Sequence, residues 1–404
     1  MEVEGVKTTA RTISSDGRDL ITGEEEDEEE FEVFSPVEII KQFRNINISA
    51  PMVRYSKLQF RELVSSYNTH ITFTPMILAK EFCLSKRSRD SDFSTSEDER
   101  GRFKLLPISY PKTESLEDPR RSISVLQRFE EALDLDRGRD GDLEESLLKE
   151  KRMAKNVRGA MIAQFGGNDP FYLSHAASLI KPYVDGIDIN CGCPQSWAYK
   201  EGIGSALLSK PDLVKELIRS VKSVCGESFS VSIKIRVDDD LKNTSRLIKT
   251  AIYAGVSFIT VHGRTRKQPS SSKVSLDSIK FSVEESRGTS FNGPVPIVAN
   301  GDVFDLNCAR LTREYCGLNA VMSARGLQEN PALFDGHPRI PLDGLKRFMI
   351  SSAETGLIFP IYHRHLSDML SLWFSSKEEK KYFNMLSSYS SVLDFLEETF
   401  DINL

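Results

Sequence analysis

The sequence predicts an α/β fold: a (β/α)8 TIM barrel followed by a small C-terminal helical domain. Three observations carry that expectation. Short apolar strands alternate with amphipathic helical stretches from residue 45 to 336, and eight strands can be counted. Polar residues gather at the ends of successive strands, as on the rim of a barrel active site. After Gly336-His337-Pro338 the apolar residues recur at helical spacing alone.

Along the chain, residues 1–35 read as an acidic disordered tail. Residues 1–32 carry twelve acids and three bases, which leaves the rest of the chain at +3 within a total of −6. A mildly basic folded part permits an RNA partner without implying one. The barrel is expected over 36–336. Its first strand, 46–50, leads into Pro51-Met52, and a helix over 57–67 precedes a second strand near Ile71-Thr72-Phe73. An insertion at 87–157, charged and poor in periodic apolar residues, then interrupts the rhythm; helices are expected in it near 122–135 and 143–155. The third strand reaches Gln164, and a helix over 170–181 starts with Pro at its first turn. Strand 184–189, helix 211–224, strand 230–236, helix 241–254 and strands 256–262, 295–299 and 318–322 complete the series. The helical appendage spans 337–404, with His365-Leu366, Met369-Leu370, Trp373-Phe374, Phe383, Val392 and Phe395 in helical register.

Composition narrows the function classes. With 39% hydrophobic residues in 404, there is enough apolar material for a large core. No run of about 18 apolar residues is present, so no membrane span is expected. The cysteines at 83, 191, 193, 225, 308 and 316 form no matched Cys-x-x-Cys pairs, so no metal site is expected. The start of the chain shows no secretory pattern, and the cysteines read as reduced thiols in a cytoplasmic setting, with the nucleus as the alternative.

The chemistry sits at the strand ends. Asn190-Cys191-Gly192-Cys193-Pro194-Gln195 is a tight turn that exposes a thiol at the tip of the fourth strand. On the fifth strand, alternation puts Lys234 and Arg236 on one face, where a lysine could hold the electron-rich edge of a reduced cofactor ring. His262 ends the sixth strand. Asn300-Gly301-Asp302 and Ala324-Arg325-Gly326 follow the seventh and eighth, where such barrels bind phosphate. Gln164 offers an amide to a heterocycle, and Pro51, Met52 and Val53 supply an apolar floor with backbone amides. Each residue alone has a plainer explanation: a structural histidine, a surface lysine, an Asn-Gly turn, a small buried thiol. Their co-location on one rim favours a phosphorylated planar cofactor.

These motifs resemble the tRNA dihydrouridine synthase family. The matching segments are Ala50-Pro51-Met52, Gln164, Asn190-x-Gly192-Cys193-Pro194-Gln195, Lys234-x-Arg236, His262-Gly263-Arg264-Thr265, Asn300-Gly301-Asp302 and Ala324-Arg325-Gly326. Val53-Arg54-Tyr55-Ser56-Lys57-Leu58, Phe73-Thr74-Pro75-Met76 and Gly326-Leu327-Gln328-Glu329-Asn330-Pro331 are most similar to the 20a/20b branch. The resemblance implies reduction of uridine to dihydrouridine in the D-loop of tRNA. It implies FMN held by Pro51, Met52, Val53, Gln164, Lys234, His262, Asn300, Gly301, Asp302, Ala324 and Arg325, with NADPH as electron donor. Asn190 would place the uracil or the flavin. Cys193 would be the general acid for C5; Cys191 is the competing thiol, but Cys193 holds the family position. An ordinary thiol, with a pKa of roughly 8.5, is mostly protonated at neutral pH and can donate. The appendage would bind tRNA, with Arg54, Lys57, Arg264, Arg266 and the Lys377–Lys381 cluster as candidate phosphate contacts. Two other readings remain: a flavin oxidoreductase of a free pyrimidine, and a non-catalytic tRNA-binding protein.

Overall fold

A computed structural model describes residues 30–108, 152–289 and 293–403, and Phe31–Leu404 form one compact unit. Eight parallel strands make up the barrel: β1 (Ile46–Ser49), β2 (Ile71–Phe73), β3 (Ala160–Gly166), β4 (Gly186–Cys191), β5 (Ser230–Arg236), β6 (Phe258–His262), β7 (Ile297–Asn300) and β8 (Ala320–Ser323). Each pairs with the next in sequence, and β8 returns to β1, so no barrel edge is left open. The strand periodicity of two decides what faces where. On β5, Val231, Ile233 and Ile235 join the core under the outer helices, which turns Ser232, Lys234 and Arg236 into the bore.

The bore is apolar at its N-terminal end and polar at its C-terminal end. Ile46, Ile48, Ile71, Phe73, Ile162, Phe258, Val298 and Met322 form one cluster. Helix Pro36–Gln42 closes that end by adding Ile39 and Ile40, with Phe43 just beyond it. A capping box between Ser35 and Glu38 starts this helix, and Pro36 occupies its first turn. Above that plug the bore face carries Gln164, Asp188, Asn190, Ser232, Lys234, Arg236, Thr260, His262 and Asn300.

Helices α1 (Leu58–Ser65), α2 (Pro170–Ile180), α3 (Pro211–Cys225), α4 (Leu241–Tyr253), α5 (Leu276–Thr289) and α6 (Leu306–Cys316) form the outer ring. Asp169, Asp240 and Asp305 cap α2, α4 and α6 through their side chains. The expected elements agree closely with these. Strands β4, β6, β7 and β8 each start two residues later than expected; at β6 and β8 this is because Val256 and Leu318 still hydrogen-bond back to the helices before them.

Two expectations need correction. The tail ends before residue 35: Glu32–Val33 is a strand parallel to Lys155–Arg158, and Phe34 packs edge-on against Phe43. The flanks of the insertion are also built into the fold. Lys86–Asp92 is a helix, and Arg102–Leu105 pairs antiparallel with Lys155–Arg158. Buried Glu99 pairs with buried Arg61 of α1, and Arg100 reaches Asp185 at 2.8 Å. These charged residues are ion-paired anchors, which an apolar-periodicity reading overlooks. The helix expected at 122–135 lies outside the described residues, as does most of that at 143–155, whose last residue begins a strand.

The C-terminal helices are α7 (Leu342–Glu354), α8 (Phe359–Met369), α9 (Lys377–Met385) and α10 (Tyr389–Phe400). They share a continuous core with the barrel's outer layer. Polar contacts tie α7 and α8 to α1 and the loop before it: Ser351 to Glu62 at 2.7 Å, and Tyr55 to Asp368 at 2.7 Å. Among the described residues, no helix is long and apolar enough to cross a membrane.

Candidate active site

Strand register brings the predicted residues into two tiers at the C-terminal mouth of the bore. In the lower tier Gln164, Asp188 and Ser232 lie level on β3, β4 and β5. In the upper tier Asn190 lies level with Lys234, and His262 lies level with both Arg236 and Asn300.

Asp188 organises the lower tier. It is fully buried and accepts from Ser232 Oγ at 2.6 Å and from Gln164 Nε2 at 2.8 Å. Burial pushes its carboxyl pKa up to about 6, against these hydrogen bonds and the nearby Lys234. With its amide nitrogen committed to Asp188, Gln164 offers Oε1 to Asn190 Nδ2 at 2.8 Å. That fixes the Asn190 amide, whose Oδ1 accepts from the backbone N–H of Gly192 (3.1 Å) and Cys193 (2.9 Å). A buried carboxylate thus sets, through two amides, the turn that carries the thiol.

The two cysteines of that turn differ by one residue of strand alternation. Cys191 points outward into the helix-packed core with no exposure, where burial raises its thiol well above the ordinary range. Cys193 is partly exposed at the mouth of the bore, within electrostatic reach of Lys234 and Arg236. Gly204 packs over it from the following loop: φ there is +61°, and a Cβ would fall 2.9 Å from Cys193 Cβ.

Lys234 donates to Asn300 Oδ1 at 2.8 Å, and Asn300 Nδ2 donates to the Met322 carbonyl at 3.0 Å. Burial, then the neighbouring Arg236, lowers the Lys234 pKa to about 8, so the ammonium still prevails at neutral pH. Arg236 donates to the Thr265 carbonyl at 2.9 Å. Thr260, level with Lys234, has a buried hydroxyl with no partner among the described residues.

The β7 and β8 loops form a basic recess lined by His262, Arg264, Asn300, Gly301, Asp302 and Arg325. Asp302 has φ +52° and accepts from Arg264 at 2.5 Å and from Arg325 at 2.6 Å. Its carboxylate therefore faces the arginines and positions them. Gly301 has φ +127°, and a Cβ there would fall 2.7 Å from Val274 Cγ2. His262 was expected to help hold the cofactor. Burial, with Lys234, Arg236, Arg264 and Arg325 around it, drives its pKa down to about 2, so it stays neutral and the positive charge comes from the arginines.

Pro51 and Met52 line the loop after β1, half-buried, and Val53 is exposed beside them. Ala324, half-buried, precedes the helical turn that begins at Arg325. One expected surface contact is corrected: Arg264 is buried and spent on Ser272, His262 and Asp302. Lys57, half-buried, donates to the Ser91 carbonyl at 2.9 Å. Arg266 does stand on the rim, stacked 4.2 Å from the Tyr199 ring centroid. The candidate list overlooked Asp188, Ser232 and the linking role of Asp302. The signal for Asp188 was present: two residues before Asn190 on one strand, it must share the bore face. Among the described residues, no group of three or more His, Cys, Asp or Glu could hold a metal ion.

The model of one family, dihydrouridine synthase, matches residues 48–108 and 143–400. A Schizosaccharomyces pombe protein described as tRNA-dihydrouridine(20a/20b) synthase [NAD(P)+] is 40% identical over 363 residues, covering 90% of each chain. A Homo sapiens protein described as tRNA-dihydrouridine(20a/20b) synthase [NAD(P)+]-like is 37% identical over 371 residues, covering 91% of this chain and 95% of its own. A Saccharomyces cerevisiae protein with the same description as the S. pombe one is 32% identical over 372 residues, covering 91% and 84%. With its barrel, its bore-facing tiers and this match over most of its length, the chain belongs to the dihydrouridine synthase family.

Proposed function

We propose that this protein reduces the C5=C6 bond of uridine to give dihydrouridine in the D-loop of tRNA, at positions 20a and 20b, with FMN as cofactor and NADPH as electron donor. The observation that carries the proposal is the 40% identity, over nine-tenths of both chains, to a relative described by that activity. The bore supports it chemically.

The residues present fit a phosphorylated flavin. Gly301 keeps backbone close to the recess where a side chain would collide with Val274, and Arg264 and Arg325 bring positive charge to it. Farther into the bore, Lys234 has donor capacity beyond its bond to Asn300, and the Thr260 hydroxyl is unpartnered. Arg325, the Gly301 and Asp302 backbone, and neutral His262 would hold the phosphate end. Lys234, Gln164 and Asn300 would face the ring, and Pro51 and Met52 would floor it. When bound, the flavin supplies the hydride for C6 after reduction by NADPH.

The chain's own contribution is the proton and the geometry. Cys193 holds its proton at Sγ on the mouth of the bore and gives it to C5. Lys234 and Arg236 stabilise the thiolate left behind. Asn190 holds the cysteine turn through its backbone and keeps the thiol aimed.

The purified protein is expected to carry flavin absorption, and tRNA from cells lacking it should lose dihydrouridine at 20a and 20b on position-by-position mapping. A protein that fails to bind added FMN, or an unchanged map, would overturn the proposal. Turnover of free pyrimidines without tRNA would point instead to a small-molecule oxidoreductase.

A further inference from the structure

A second recess lies beside the bore, between the loop after β1 and the start of α8. It has a volume of about 570 Å³, within the usual range for small-ligand sites. Arg54 and Tyr55 line one side, Ile358 and Pro360 the other, with Arg364 and His365 between them.

Three features point to a ligand. His365 is 1% exposed, yet neither ring nitrogen has a hydrogen-bond partner. The Tyr55 backbone lies near the ring without a hydrogen bond of normal geometry. Such a group is costly to bury unless something completes it. The ring is packed among Tyr55, Phe60 and Phe348, with centroids at 4.8, 5.3 and 5.1 Å. Burial keeps the ring neutral, so it places no charge of its own on the floor of the recess.

The walls agree. Ile358 is 60% exposed and, with Pro360, offers an apolar face for a base. Two guanidinium groups stand at the opening. Arg364 is held by Asp368 at 3.2 Å and by the Tyr55 hydroxyl at 2.8 Å. Arg54 is exposed in a left-handed conformation, φ +70°. Apolar walls and two arginines together suit a nucleotide with its phosphate. The loop that carries Arg54 also carries Pro51 and Met52 at the bore, and two residues span at most about 7 Å, so Arg54 stands close to the bore.

We propose that this recess receives a second nucleotide of the substrate RNA, a neighbour of the uridine being reduced, and thereby selects which of two adjacent uridines enters the bore. The inference rests on the tRNA reading above.

The test uses the full-length flavin-loaded protein and unmodified tRNA transcripts. Ile358→Trp fills the recess. Arg54→Asn removes a charge while keeping a residue that tolerates left-handed backbone, and its surface position preserves folding. Both variants should keep the wild-type rate of flavin reduction by NADPH, yet show KM for tRNA raised about tenfold and dihydrouridine redistributed between the adjacent uridines. An abasic nucleotide beside the target uridine should cost the wild type a similar factor and cost Ile358→Trp nothing further. Wild-type KM and product positions in both variants would overturn the recess assignment while leaving the tRNA reading intact. A flavin-loaded wild type that makes no dihydrouridine in tRNA would overturn both.

Discussion

Asp188 shows how a residue far from any reacting atom can govern the site. Its two oxygens hold Ser232 and Gln164, and Gln164 in turn orients Asn190 and the cysteine turn. Folding favours its protonated form, since its pKa rises from 3.8 to about 6. Its contribution to stability is therefore fully present below pH 3.8 and is lost as pH rises through about 6, on the order of 3 kcal/mol. Denaturant titrations of wild type and Asp188→Asn between pH 4 and 7 should show this slope in the wild type alone. The asparagine also presents an N–H₂ to one of two donors, so kcat should fall at least about tenfold as Gln164 reorients. Individual bore residues were readable wherever a motif or strand alternation marked them: Lys234, Arg236, Asn190 and Cys193. Charge state was not: His262 is neutral because burial, and after it the four cationic side chains around it, disfavour its charged form, a fact of assembly.

At the scale of elements, the alternation of strands and helices was legible because each barrel strand buries both faces and each outer helix buries one. Turns that hold the site were less so. Gly204 reads as an ordinary loop glycine, yet its φ of +61° and its contact with Cys193 tie the loop after β4 to the thiol. Gly204→Ala should destabilise the protein by about 2 kcal/mol, read from denaturant midpoints, and should lower kcat for tRNA more than flavin affinity. Equal loss of both would show that the loop supports the whole bore and not the thiol. The insertion's flanks were misread for a physical reason: they are held by Arg61–Glu99 and Arg100–Asp185, and charged anchors leave no hydrophobic period to detect.

For the whole molecule, α7 and α8 pack on α1 through one continuous core that barrel and appendage share. Arg102–Leu105 and Lys155–Arg158 pair with Leu105 opposite Lys155, so a short turn can join them. Replacing residues 109–151 with such a turn should leave thermal stability and flavin binding unchanged; loss of folding would mean that the segment is part of the core. Affinity for tRNA should fall steeply between about 50 and 200 mM salt, because phosphate contacts release counterions. The central claim, that Cys193 supplies the proton to a uridine reduced in the bore, is tested most directly in a single turnover. NADPH-reduced wild type and Cys193→Ala are mixed with unmodified tRNA, and dihydrouridine is quantified by position. The wild type should convert its target uridine, whereas Cys193→Ala, equally reduced by NADPH, should form almost none; conversion at the wild-type rate by the variant would contradict the account.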